Sequence, residues 1–214
     1  MLLLCTFLTA TGCRHQDHYD RIIRNGLIYN GMGGIPYHAD IGINADTISA
    51  IGDLSTAAAT AVTDAKGMAV APGFINMLSQ AQESLMADGR AQSDIRQGVT
   101  LEVMGEGTSM GPVTSKMKRQ MEDIEGDIRY KVSWNSLGDY LKLLEKKGVS
   151  CNIASFLGAG TVRTYVIGED NRTPTPVELQ QMQELVKQAM QEGAMGISSA
   201  LIYPPDGFLP KLMN

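Results

Sequence analysis

Short runs of alternating apolar and polar residues fill the chain between residues 19 and 71. The run 19–29 is interrupted by Asn25-Gly26, a dipeptide typical of two-residue hairpin turns, and so predicts two short strands. Ile41 and Ile43 share one face of a further strand, and the run 47–52 alternates in the same way. This pattern predicts a small antiparallel β unit over residues 19–71.

From residue 72 the pattern changes to short apolar runs separated by loops and helical segments. Four runs predict strands, at 74–78, 100–104, 152–157 and 195–201. Ser136 and Thr175 each stand three residues before an acidic residue, the arrangement of a capping box, and predict helices that end at Gly148 and Gly193. The segment 105–130 is long and polar, which favours a surface excursion. Strands alternating with helices predict an α/β fold with a parallel sheet, and four strands are about half of a (β/α) TIM-like barrel.

The N-terminus predicts export. The apolar run 2–10 is too short to span a bilayer, which takes roughly 20 residues, and it has the length of a signal-peptide core. It is followed by Thr-Gly-Cys ending at Cys13, which resembles a bacterial lipoprotein signal, although no Lys or Arg precedes the run. We therefore expect residues 1–18 to be a signal and tether, with the protein lipid-anchored through Cys13 at the periplasmic face.

Composition limits the possible chemistry. The net charge of −5 gives no reason to expect nucleic acid as a partner. The three histidines, His15, His18 and His38, all precede the predicted barrel, and imidazole is the commonest metal ligand and general base near neutral pH. A hydrolytic site within residues 39–214 must use carboxylates, Cys151 or groups from another chain, and Cys151 has no histidine partner there to make it a nucleophile.

Active sites of such barrels lie at the carboxyl ends of the strands. The predicted strands therefore give four candidate positions: 78–80, 105–107, 158–160 and 203–205. Glu83 and Asp88 are interpreted as ordinary loop carboxylates.

Several segments resemble the N-acyl-D-amino-acid deacylase (D-aminoacylase) family of amidohydrolases. The resemblance covers about residues 19–205 and rests on Pro-Gly-Phe-Ile at 72–75, Gln-Gly-Val-Thr-Leu-Glu at 97–102 and, most specifically, the segment 192–205. It implies that 19–71 is half of the small β-sandwich that flanks the barrel, and that 72–205 is the first half of the barrel. The remaining residues, 206–214, show no further element and look like an aberrant tail from a frame change or premature stop.

The resemblance also implies zinc, but this chain departs from the metal motif. The family usually has His-x-His after the first strand, where this chain has Leu78 and Gln80, and a cysteine after the second strand, where this chain has Gly-Glu-Gly at 105–107. Glu106 is the candidate metal ligand, with an exposed loop residue as the alternative. The same departure is similar to a branch of the family that lacks the His-x-His pair. Catalytic residues are expected beyond residue 214.

Three residues are candidates for substrate binding. Gln80 could hydrogen-bond the substrate or a metal-bound water, and Tyr203 could border the pocket or simply pack at a strand end. Arg163 could bind a substrate carboxylate in a bidentate manner, with a structural salt bridge as the alternative.

The function implied is hydrolysis of an N-acyl-D-amino acid to a D-amino acid and a carboxylate, with this chain inactive alone. One alternative is a lipid-anchored pseudoenzyme or binding module. Another is an enzyme assembled with a second chain that completes the barrel.

Overall fold

The computed structural model describes residues 17–123 and 126–203. The predicted signal, the lipidation site Cys13, the end of the last family motif and the tail 206–214 lie outside the described residues. The chain divides into two compact units, one up to Pro72 and one from Gly73 onward. Among the helices that the structure describes, none is long and apolar enough to cross a membrane.

The first unit is one five-stranded sheet. Its strands lie in the order β3-β2-β1-β4, and β5 pairs with the far end of β1. The strands are β1 (His18–Ile28), β2 (Tyr37–Asn44), β3 (Thr47–Gly52), β4 (Ala58–Asp64) and β5 (Ala69–Val70). A small core of this unit contains Tyr19, Ile22 and Leu54. The expectation of a wholly antiparallel unit was wrong, because β4 and β5 both run parallel to β1.

The hairpin predicted at Asn25-Gly26 was also wrong, because β1 is continuous through it. The register against β2 shifts between Ile23 and Gly26, which marks a β-bulge, and Asn25 has a φ of 56°. Asn25 is held from both sides. Its backbone N–H donates to Asp40 Oδ1 and its side-chain amide donates to Asp64 Oδ1, both at 2.9 Å. Contacts with the two neighbouring strands therefore turn a local turn signal into a bulge.

The second unit is a row of parallel strands with helices. β6 (Phe74–Asn76), β7 (Val99–Met104) and β8 (Asn152–Ser155) form one parallel sheet in that order. β9 (Leu157–Gly158) continues β8 beyond Phe156 and pairs in parallel with β10 (Ile197–Ser198). This parallel arrangement with intervening helices is the α/β order expected from the sequence. Within the described ranges the strands do not close into a barrel.

Six helices accompany these strands. They are α1 (Ser84–Ala87), α2 (Gln92–Ile95), α3 (Ser115–Asp123), α4 (Leu137–Lys147), α5 (Ala159–Ile167) and α6 (Pro176–Gln191). The main core packs α4, α5 and α6 against the strands, and Trp134 lies between the rings of Tyr130 and Tyr140 at centroid distances of 6.1 and 5.2 Å. Burial of these large rings stabilises the unit strongly.

Two expectations about this unit were wrong. The segment 105–130 is not simply a polar excursion, because it contains α3 and buries Met110 and Val113 in the core. The fourth strand is only the pair Ile197–Ser198, shorter than the predicted 195–201.

The predicted capping boxes at α4 and α6 are confirmed. At α6 the Thr175 hydroxyl accepts from the Glu178 N–H at 3.3 Å, and the Thr175 N–H donates to Glu178 Oε2 at 2.7 Å. Arg172 also donates two hydrogen bonds to Glu178, at 2.6 and 2.8 Å, and these hold the pKa of that carboxyl at about 2. The cap of α6 is thus tied to the loop that precedes it.

We expect Thr175→Ala to lower the free energy of unfolding by about 1 kcal/mol, because it removes the oxygen that accepts from the first turn of α6. Urea denaturation followed by circular dichroism measures the loss. The matched control is Thr173→Ala, at an exposed loop position. Equal losses for the two variants would contradict a capping role.

Candidate functional site

The candidate site lies where the strands of the second unit end. The loop after β6 begins at Met77, the loop after β7 at Gly105, α5 directly follows β9, and Ser199 follows β10. Because all these strands are parallel, their carboxyl ends lie at one edge of the row, and in (β/α) barrels this is the edge that carries the active site.

The loop after β7 is fixed by its glycines. Gly105 has a φ of 91°, and a Cβ there would lie 2.2 Å from the carbonyl oxygen of Phe156, so a side chain at this position would clash with the backbone. A Cβ on Gly158 would lie 2.4 Å from the carbonyl oxygen of Gly107. The backbones at the ends of β7 and β9 therefore touch closely, and Glu106 projects from between two glycines.

Hydrogen bonds lock this loop to the neighbouring strands. The Ser198 hydroxyl of β10 accepts from Gly107 N–H at 3.1 Å and donates to the Gly105 carbonyl. Gly160 N–H, in the first turn of α5, donates to the Gly107 carbonyl at 3.0 Å. The backbone of Glu106 is thus fixed, while its side chain is exposed.

Leu78 and Gln80 flank a buried serine that sequence reasoning missed. Ser79 donates its backbone N–H to the Val103 carbonyl at 2.9 Å and its hydroxyl to Glu102 Oε2 at 2.6 Å. Glu102 is fully buried, and its other oxygen, Oε1, has no hydrogen-bond partner in the described structure. In the sequence, the feature that could have indicated this buried hydrogen bond was a glutamate within the mostly apolar run 99–104. The pair fixes the loop that presents Leu78 and Gln80, both of which are exposed.

Gln80 borders a cavity of about 860 Å³, which we call the strand-end cavity. Its walls come from the loop after β6 (80–83), the segment after β7 (108–113), helix α3 and the residues 161–169 of α5 and its C-terminal turn. The sequence did not predict it, because α3 was interpreted as an excursion and α5 was not predicted.

Arg163 is fully buried in α5 and does not line this cavity. Its Nη2 donates to the carbonyl oxygens of Asp170 and Arg172, at 2.5 and 2.9 Å. Burial lowers the pKa of its guanidinium, chiefly through desolvation. Arg163 thus secures the loop that leads into α6, and its role in substrate binding stays a prediction.

The other candidate residues lie apart from the cavity or at its border. Tyr203 is exposed beyond β10, Asp88 forms an exposed ion pair with Arg90 at 2.8 Å, and Glu83 accepts from the Tyr130 hydroxyl at 3.3 Å. Cys151 is buried, and burial together with Glu102 raises the pKa of its thiol to about 11. A thiol in this state is a poor nucleophile.

The described residues do not by themselves form a zinc site. Across residues 17–123 and 126–203 no three His, Cys, Asp or Glu side chains are grouped so as to hold a metal ion. Leu78 has no ligand atom, Gln80 offers only an amide, and Glu106 is the one carboxylate among the three predicted positions. A structural or catalytic zinc takes three or four protein ligands, more than these three positions supply.

Solved structures of amidohydrolases share this fold. A structure from work on the binuclear metal centre in D-aminoacylase matches with a TM-score of 0.81 at 30% identity, over 91% of this chain and 42% of that one. The N-acyl-D-glutamate deacylase of Bordetella bronchiseptica, solved with zinc and a phosphonate inhibitor, matches with a TM-score of 0.78 at 27% identity, over 92% of this chain and 42% of that one.

Curated relatives show the same similarity in their sequences. The D-aminoacylase of Alcaligenes xylosoxydans xylosoxydans is 34% identical over 87% of this chain and 39% of its own length, and the N-acyl-D-aspartate deacylase of that organism is 30% identical over 89% and 38%. No family model matches the chain. The chain is thus similar to the N-terminal portion of the N-acyl-D-amino-acid deacylase family, which confirms the resemblance seen in its motifs. It spans about two fifths of the length of these relatives.

We expect Ser79→Ala to destabilise the second unit by about 3 kcal/mol, because it removes the donor to a fully buried carboxyl group. Urea unfolding measures the change, and Ser133→Ala, at an exposed position, is the control. Hydrogen exchange in the segment 77–83 should rise in the Ser79 variant. If stability and exchange match those of the control, the Ser79–Glu102 contact does not fix the loop.

Proposed function

We propose that this chain is the N-terminal portion of a metal-dependent amidohydrolase that hydrolyses an N-acyl-D-amino acid to a D-amino acid and a carboxylate. The carrying observation is the similarity to deacylases over about nine tenths of the chain, in sequence and in fold. On this proposal 73–203 is part of a (β/α) barrel and the β unit before it is part of the flanking sandwich.

The site geometry supports different roles for two side chains, substrate binding by one and metal binding by the other. The exposed side chains at the strand ends are an amide, Gln80, and a carboxylate, Glu106, held on loops whose backbones are fixed by Ser79 and Ser198. Gln80 would donate to or accept from the amide or carboxylate of the substrate, and Glu106 would supply one oxygen ligand to a metal. Such a metal would polarise the scissile carbonyl and activate water, and its other ligands would come from outside the described residues.

Exposed hydrophobic side chains support the need for further polypeptide. Phe74 and Ile75 on β6 are 65% and 55% exposed, and Met195 and Ile197 at β10 are 54% and 53% exposed. These are the two edge strands of the row, and edges of this kind are normally paired or covered. A second chain that completes the barrel is one form of this proposal.

A chimera tests the function. This chain would replace the matching N-terminal part of the Alcaligenes D-aminoacylase. We expect it to bind zinc and to release D-methionine but not L-methionine from the N-acetyl compounds. Glu106→Gln should lower metal content and kcat/KM, each by at least about 10-fold, because losing a direct ligand costs no less than losing an outer-shell partner.

Glu145→Gln on the exposed side of α4 is the matched control and should change neither quantity. A folded chimera that binds no metal and hydrolyses nothing would favour the alternative, a lipid-anchored pseudoenzyme or binding module. Full metal content in the Glu106 variant would remove Glu106 from the ligand set.

We also propose export to the periplasmic face and lipidation at Cys13, supported by the apolar run and the Thr-Gly-Cys ending in the sequence. In a bacterial host, mass spectrometry should find an acylated N-terminal peptide that begins at Cys13, in the membrane fraction. Cys13→Ser should abolish the modification and Cys5→Ser should not. An unmodified N-terminus in the wild-type protein would contradict the proposal.

A further inference from the structure

Part of the wall of the strand-end cavity is apolar and consists of methionines beside Val113, while the rest of the lining is polar or acidic. Met117 and Met121 face it from α3, and Met110 faces it from the segment after β7. Thioether side chains are flexible and polarizable, and they adapt to aliphatic groups of different shape. This wall suits a straight hydrocarbon chain better than a flat or strongly polar group.

The charges around the cavity have one sign. Glu83, Asp123 and Glu169 line it from three different elements, the loop after β6, α3 and the turn after α5. Among the lining residues that the structure describes there is no Lys, Arg or His. Glu83 is half-buried, whereas Asp123 and Glu169 are exposed at the rim.

The cations of α3 lie outside the lining, and the guanidinium of Arg163 on α5 is bound to the carbonyl oxygens of Asp170 and Arg172. Lys118 donates its Nζ to Asn135 Oδ1 at 2.8 Å, and Lys116 and Arg119 are exposed. An anionic group inside the cavity would therefore meet carboxylates and no described lining cation. A cationic group at the end of a hydrocarbon chain would place its methylenes on the methionines and its charge at the rim.

The names of the relatives indicate substrates whose side chains differ in charge. Their names distinguish a D-aminoacylase from deacylases of N-acyl-D-aspartate and N-acyl-D-glutamate, whose side chains are anionic. From the cavity we infer that this chain selects N-acyl-D-amino acids with a long cationic side chain and disfavours those with an acidic one. This inference rests on the proposed function, because it assigns the cavity to the substrate's side chain.

The test measures binding, which does not require catalysis. Isothermal titration of the purified 214-residue chain would use N-acetyl-D-lysine, N-acetyl-D-norleucine and N-acetyl-D-glutamate, which share the N-acetyl group and α-carboxylate and differ in side-chain charge. We expect N-acetyl-D-lysine to bind at least about tenfold tighter than N-acetyl-D-glutamate, with the neutral ligand between them. The difference should shrink at 1 M salt, where the screening length falls to about 3 Å.

Substitutions of acidic residues test whether the cavity rim causes the lysine preference. The double substitution Asp123→Asn with Glu169→Gln changes two rim residues and should reduce the lysine preference to less than about threefold. Glu145→Gln, an exposed carboxylate on α4 outside the lining, should leave it unchanged. A preference that survives the double substitution, or that is lost equally in the control, overturns the inference. Tighter binding of N-acetyl-D-glutamate, or no binding of any ligand, also overturns it.

The chimera gives a second measurement and separates the two proposals. Its kcat/KM values should follow the same order, from lysine to norleucine to glutamate. Hydrolysis with a preference for N-acetyl-D-glutamate would reject the inferred side-chain class and keep the deacylase function. Binding of N-acetyl-D-lysine to the chain, without hydrolysis by a folded and metal-loaded chimera, would keep the side-chain class and reject the deacylase function.

Discussion

The close approach of the backbone at the ends of β7 and β9 is the constraint on which the candidate site depends. Gly105 and Gly158 allow the two backbone segments to come into contact. The hydroxyl of Ser198 then joins β10 to both ends of the Gly-Glu-Gly loop. Because α5 also donates to this loop, three strands and a helix share one set of contacts. The position of Glu106 follows from the packing of the whole edge rather than from its own side chain.

Local signals in the sequence were accurate where the structure is decided locally. The capping boxes at Ser136 and Thr175 depend on residues three positions apart, and both formed as predicted. Asn25-Gly26 is an equally strong local signal, but Asp40 and Asp64 on neighbouring strands bind Asn25 and keep the strand continuous. The local turn preference did not decide the structure there, because the residues that bind Asn25 lie more than ten positions away in the sequence.

The candidate site was predictable in location but not in shape. Strand order alone places Gln80 and Glu106 at one edge of a parallel row, because parallel strands end together. The cavity beside Gln80 could not be found in this way, since it depends on how α3 and α5 pack over the strand ends. Arg163 shows the same limit: its residue type left substrate binding and a structural salt bridge open, whereas the fold buries it against backbone carbonyls.

The groups at the strand ends are suited to recognition more than to bond cleavage. Amides, hydroxyls and thioethers bind and orient a substrate but are poor general bases. The carboxylates of the cavity and of Glu106 are the described groups there that accept protons, and the chain has no histidine after His38. The backbone of Glu106 is fixed, but among the described residues it is not part of a group that could hold a metal ion. On the proposed function, this chain would hold and select the substrate and would offer one carboxylate, Glu106, to the metal. On the same proposal, substrate selectivity would be encoded within these residues, whereas most ligands of the metal would come from outside the described residues.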